Sequence, residues 1–463
     1  MPAASAFQQL GDSDMSHATT RFGTRGGRLF AACAGLTAFA LLAGACGSDK
    51  ASAPATSPSA TTPATTAGTD DGGSTFVTTP SSQPPTTDLG PATGEKLRVG
   101  LVNTEGTPGL DFPDIRKDIT AAVGYLNEHG GFGGRPIELV PCIVKGTPET
   151  SQSCAQELVG QKVDMVLIGL DLFPAYPTYN AAKLPIIGVL PILPGDYTAD
   201  ALFITGGNAT VMSAVAQVAK DHFKAKSVAI ISASNAGSAQ SAAAAAASLK
   251  IAGIESTAVT GGDNETDAGF QALMRQAAQS NPDIIISLYA DAGCIGTMRG
   301  RAALGITIPV ITTGICSSKD VLSEVGDDAL GWTFAGVQTS ADTPARAIMQ
   351  QVLAPVLNVP AAEIDQNGLG LGGLGYLTAM SLAEYANKLA GTGVAITAQS
   401  LYDYLKTSKD LKLFGGNAPI ECGALPAYSA VCSYIFPFAE YQAGGKVVTI
   451  PGLEGVSSKA LLP

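Results

Sequence analysis

Apolar positions fall along this chain in two patterns. The first is an unbroken run, Leu29–Cys46 (LFAACAGLTAFALLAGAC), preceded by Arg21, Arg25 and Arg28 and closed by small residues. A basic flank, a greasy stretch and a small-residue end describe an export signal rather than a piece of the fold. As a membrane span the run falls a little short of the roughly 20 residues needed. The second pattern begins near Leu97, where short β-rich apolar runs alternate with stretches of helical period. LRVGLV (Leu97–Val102) reads as a buried strand, and Asp114–Glu128 as a helix with Ile115, Ile119, Val123 and Leu126 on one face. Gly130-Gly131 supplies the left-handed backbone that closes it. IELV, MVLIG, PIIGVL and ALFIT read as further strands, with a helix over Glu149–Val159. Ala209–His222 is predicted helical, and SVAIIS opens a second series. That series continues with helix Ser238–Ala252, strand IESTAV, helix Phe270–Gln279, and strands DIIISL and IPVITT with a helix between them. Helices at Pro344–Leu357, Gly375–Leu389 and Ala398–Leu405 follow, then a hairpin of Phe436–Tyr441 and Lys446–Ile450 about Ala443-Gly444-Gly445. Continuous apolar strands alternating with helices predict an α/β fold of parallel sheets covered on both faces. The pattern runs twice, with strands near 97, 137, 165 and 186, then near 227, 255, 284 and 310.

Composition narrows the function. Only 14% of the 463 residues are charged and the formal net charge is −12, which disfavours nucleic acid, whose phosphates demand basic patches. Residues 47–95 are rich in Ser, Thr, Pro and Ala and carry too little large apolar surface to fold, so they are expected to form a flexible tether. Two of the eight cysteines, Cys33 and Cys46, lie in the signal. The other six form near neighbours: Cys142 and Cys154, Cys294 and Cys316, Cys422 and Cys432. An exported chain favours disulfides, and sequential pairing is the simplest of the possible connectivities. Metal binding is the competing use, but zinc-type spacing is missing and the exported part holds only His129 and His222.

Catalytic and nucleotide signals are weak. Gly368-Leu369-Gly370-Leu371-Gly372-Gly373 fits G-x-G-x-x-G, yet AAEIDQ before it is no strand, and 54 glycines make a chance match easy. No G-x-S-x-G elbow occurs. Trp332 follows Gly331 in what reads as a segment crossing between lobes, where core packing is its expected role. No cofactor is called for.

The turn Tyr125-Leu126-Asn127-Glu128-His129-Gly130-Gly131-Phe132-Gly133-Gly134-Arg135-Pro136-Ile137 resembles the first helix-to-strand turn of type I periplasmic binding proteins, and most of all their leucine/isoleucine/valine-binding branch. Val163–Gly169, Leu184–Gly188 and Gly375–Met380 add to the likeness. Leu42-Ala43-Gly44-Ala45-Cys46 resembles a bacterial lipobox, with Ala43 where a leucine is usual, which implies acylation of Cys46. These resemblances imply a lipoprotein with signal 1–46, tether 47–95, lobe one at 96–208 and 341–430, and lobe two at 209–340 and 431–463. Two doubly wound parallel-sheet lobes would be joined by three crossover segments. The implied protein is a monomer on the outer face of the membrane that captures a small molecule in the cleft and delivers it to an ABC importer permease. A sensing module of the same fold and a secreted α/β enzyme are the alternatives, the latter resting on carboxylates such as Asp171 and Asp291.

Ligands of open parallel sheets bind beyond the carboxyl ends of the strands. The candidate ligand-binding residues are therefore Thr104, Glu105, Asp171, Leu172, Phe173, Leu190 and Pro191 on lobe one, with Tyr376 from the later helix. On lobe two they are Asn235, Ala236, Tyr289, Asp291, Gly314 and Ile315. Amino-acid binders of the family hold the ligand carboxylate with hydroxyls, but Gly169–Phe173 and Val189–Leu193 carry none. The expectation is an amino acid or a related small neutral or cationic molecule, with an apolar part facing Leu172, Phe173, Leu190 and Ile192. If Cys294 and Cys316 are bridged, the bond would stiffen the cleft rim.

Overall fold

A computed structural model describes residues 89–463 apart from 108, 109, 340, 366, 367 and 417. The export signal, Cys46 and most of the tether lie outside the described residues. The first half alternates β1 (Leu97–Thr104), α1 (Pro113–Glu128), β2 (Ile137–Val144), α2 (Pro148–Gly160), β3 (Met165–Leu170), α3 (Tyr176–Ala181), β4 (Ile186–Gly188), α4 (Pro194–Tyr197) and β5 (Leu202–Phe203). These strands pair in the order β2-β1-β3-β4-β5, all parallel.

The chain then crosses into a second series: α5 (Asn208–Asp221), β6 (Ser227–Ala233), α6 (Ala236–Ile251), β7 (Glu255–Gly261), α7 (Asp267–Ala278), β8 (Ile284–Leu288), α8 (Ala292–Ala303), β9 (Val310–Thr313), α9 (Lys319–Val325) and β10 (Trp332–Ala335). It returns for α10 (Pro344–Leu357), α11 (Gly370–Gly391), α12 (Ala398–Thr407) and the short pair β11 (Leu411–Lys412) and β12 (Pro419–Ile420). A third crossing leads to β13 (Ile435–Phe436), β14 (Phe438–Gln442), β15 (Lys446–Thr449) and β16 (Val456–Ser457). The second sheet runs β15-β14-β10-β9-β8-β6-β7, parallel except for β14 and β15. The result is two α/β lobes joined by three crossing segments. Trp332 does not lie in a crossing: it opens β10, fully buried in the second lobe.

Alternating positions of β1 explain how one strand serves two layers. Leu97, Val99 and Leu101 join a cluster with α1, α10 and α11, while Val102 joins the opposite cluster with Cys154, Leu158 and Tyr179. Gly100 lets α2 approach, since a Cβ there would stand 2.8 Å from Leu158 Cδ1.

The α1–β2 turn shows why its residues are needed. The Asn127 amide clamps Ile137, accepting from its N–H at 2.7 Å and donating to its carbonyl at 2.9 Å. The Arg135 guanidinium donates to the carbonyls of Glu95, Lys96 and Ile396. Residues 92–94, in the stretch read as tether, dock here: Ala92 N–H donates to Asn127 O and Gly94 N–H to Gly134 O. Three disulfides close Cys142–Cys154, Cys294–Cys316 and Cys422–Cys432, the sequential pairing.

Candidate functional site

In the first sheet, strand order reverses about β1 and β3, and in the second about β6 and β8. Loops leaving such positions diverge and open a crevice. Close contacts of the two lobes bound this crevice. Asn208, where the first crossing enters α5, donates through Nδ2 to Ile192 O of one lobe at 3.0 Å and to Gly237 O of the other at 3.2 Å. On another flank, the Lys319 ammonium of α9 pairs with the Glu363 carboxylate, joining opposite lobes.

A cavity of about 250 Å3 lies between these contacts. Its floor comes from the three crossing segments, Thr205–Asn208, Ala335–Gln338 and Ser433–Pro437. Gly206 and Gly207 make the floor possible: a Cβ on Gly206 would meet the Phe436 ring at 2.1 Å, and one on Gly207 would meet Pro191 O at 1.7 Å. One wall is the first two turns of α11, with Leu371, Leu374 and Leu377, and Leu413–Gly416 continues it. The opposite wall is Val211 and Met212 of α5 with Thr313–Ile315 at the end of β9. The side chains are mostly apolar, and none of the lining residues is Asp, Glu, Lys, Arg or His.

Of the candidate residues read from sequence, Leu190, Gly314 and Ile315 line this cavity; the others do not. Thr104 is buried, its hydroxyl donating to Leu170 O at 2.9 Å. Glu105 forms a forked ion pair with Arg116 at 2.6 and 2.8 Å and accepts from Asn103. Burial works to raise its pKa, but these bonds prevail and hold it below the ordinary carboxylate range. Asp171 accepts from Ser151 Oγ at 2.7 Å and Phe173 N–H at 3.0 Å, an inward turn-forming role. Burial lifts its carboxyl above the usual range, against those bonds. Leu172 is packed in the lobe-one core, and Phe173 is 36% exposed.

Pro191 presents its carbonyl to Gly207 and Asn208. Asn235 caps α6 through Ser238 N–H at 2.9 Å and donates to Asp263, and Ala236 is the first residue of that helix. Tyr289 is buried edge-on against Phe270, and Tyr376 is buried beside Phe414. Asp291 precedes α8 with φ 44°, a conformation unusual for a non-glycine residue, and its side chain reaches solvent. Close packing around it, then Asp114 and Asp111 of the other lobe, push its carboxyl up.

Sequence reasoning missed the crossing segments and Leu413–Gly416. Their only local signal was paired glycines, Gly206-Gly207 and Gly415-Gly416, after apolar runs. It also set aside the Gly368–Gly373 motif, whose later part, from Gly370, starts α11 beside the cavity.

Residues 96–422 match a protein family described as periplasmic binding protein. The chain belongs to this family. It is a family of binding proteins rather than enzymes, acting outside the cytoplasm. Among solved structures, an ABC transporter substrate-binding protein from Sphaerobacter thermophilus superposes with a TM-score of 0.62 at 20% identity, covering 77% of this chain and 96% of that one. A leucine-binding protein, LivK, from Thermotoga maritima gives 0.60 at 15% identity, covering 79% and 99%. A solute-binding protein of an ABC transporter from Rhodopseudomonas palustris HaA2, in complex with p-hydroxybenzoic acid, gives 0.61 at 18% identity, covering 79% and 98%. At such identities the likeness is one of fold. No curated protein sequence matches the chain. Among the described residues no helix is long and apolar enough to cross a membrane.

Proposed function

We propose that this periplasmic binding protein is a monomeric lipoprotein, anchored through Cys46 on the outer membrane face, that captures a small molecule between its lobes and hands it to an ABC importer. The observation that carries the reading is the cavity lined by both lobes and all three crossing segments, the place where a hinge motion converts ligand contacts into closure. The lobes are taken as 96–208 with 341–430, and 209–340 with 431–463. Separate apolar clusters on the two sides support that division except at its last boundary, where Cys432 packs with lobe one. Sequence supports lipid anchoring through the Arg-flanked apolar run that ends at Cys46. An amino acid stays within the ligand class only if backbone amides or the hydroxyls of the cavity lining replace those missing from the lobe-one loops.

The test is transport. Cells lacking the gene are expected to accumulate more slowly whatever compound denaturation releases, unchanged, from the purified protein. The wild-type gene should restore uptake, and a cavity-filling Leu374→Trp variant should not. Normal uptake in the deletion strain would refute delivery and favour a sensing module. Release of a chemically altered compound would favour an enzyme.

A further inference from the structure

Resting on that reading of the cavity, we infer that the ligand is an uncharged, largely hydrocarbon molecule bearing oxygen acceptors, neither a carboxylate nor an amino acid. A charged group entering this cavity would shed water without meeting an opposite charge, because its lining carries no ionisable side chain. An ammonium finds no carboxylate on the walls, so a zwitterion is unmatched at that end.

The polar groups on offer include donors. Ser433 is 4% exposed, lines the cavity, and its hydroxyl has no protein partner. The first turn of α11 begins in the wall with no side-chain cap, and the first backbone bond there runs from Gly373 N–H to Leu369 O. The amides before it have no partner within the helix.

Those amides would suit an anion if the surroundings were neutral, but acids already crowd the turn. A Cβ on Gly372 would stand 2.6 Å from Asp118 Oδ2 and 3.2 Å from Asp114 Cβ. The nearby lysines are engaged, Lys117 with Asp114 and Lys319 with Glu363. A further negative charge is repelled wherever Asp118 is ionised, whereas a carbonyl, ether or hydroxyl oxygen accepts from the same donors without that penalty.

Three probes of one shape test this on the full chain by calorimetry: 4-hydroxybenzamide, 4-hydroxybenzoate and 4-hydroxybenzylamine, with leucine beside them. The amide should bind at least about tenfold more tightly than either charged analogue. Ser433→Ala should weaken it by about tenfold, the value of one lost hydrogen bond, at unchanged melting temperature. Tighter binding of the benzoate, the amine or leucine overturns the inference while leaving the solute-binding reading intact. If none of the four binds, the compound released by denaturation decides. A neutral compound supports the inference, and an ionised one overturns it. A protein that releases nothing and binds no probe removes the solute-binding reading and this inference with it.

Discussion

Asp118 shows what a single side chain can contribute apart from any ligand. It sits on α1 facing the glycine turn of α11, 1% exposed, with Oδ1 lacking a partner. Burial, then the neighbouring Asp114, push its carboxyl from 3.8 up to about 7. In the unfolded chain it ionises near pH 4, so between pH 4 and 7 the unfolded state releases a proton that the fold retains. Its stabilising contribution is therefore whole below pH 4 and is lost as the pH rises through 7. Asp118→Asn removes this dependence. Its stability relative to the parent in urea unfolding is expected to be greater at pH 8 than at pH 4.5, by on the order of 2–4 kcal/mol. A difference that does not change with pH would contradict this account. The same residue scale explains why two candidate acids, Glu105 and Asp171, do not line the cavity. Glu105 is claimed by Arg116 and Asp171 by Ser151, partners on neighbouring elements that the sequence does not bring together.

At the scale of elements, most of the architecture was legible. Short continuous apolar runs and stretches of helical period marked β1 to β9 and helices α1, α2, α5, α6 and α7 within a few residues. Strand β10 was not recognised, because WTFA is short, follows Gly331 and shows no alternation. The Cys294–Cys316 bond ties the first turn of α8 to the Gly314–Ser317 turn behind the cavity wall. Replacing both cysteines by serine should cost about 3 kcal/mol of stability, the value of closing a loop of this length, and should loosen ligand binding by freeing Ile315. Lost stability at unchanged affinity would show that the bond holds the fold and not the site. Calorimetry below the variant's melting range separates the two.

For the whole molecule, the sequence located the cleft but not its lining. Parallel-strand topology and the family-like turn place ligand loops at the carboxyl ends of β1, β3, β4, β6, β8 and β9, where Leu190, Gly314 and Ile315 do line the cavity. The remaining lining comes from three crossings roughly a hundred residues or more apart, from α5 and α11, and from the chain after α12, which only tertiary folding assembles. Closing the lobes on a guest is the central claim, and a crystal structure of the protein with its co-purified compound tests it most directly. The account predicts an intact small molecule seated among Asn208, Ile315, Leu374, Ser433 and Phe436, with both lobes in contact with it. A molecule bound to one lobe's outer surface, with this cavity empty, would contradict it.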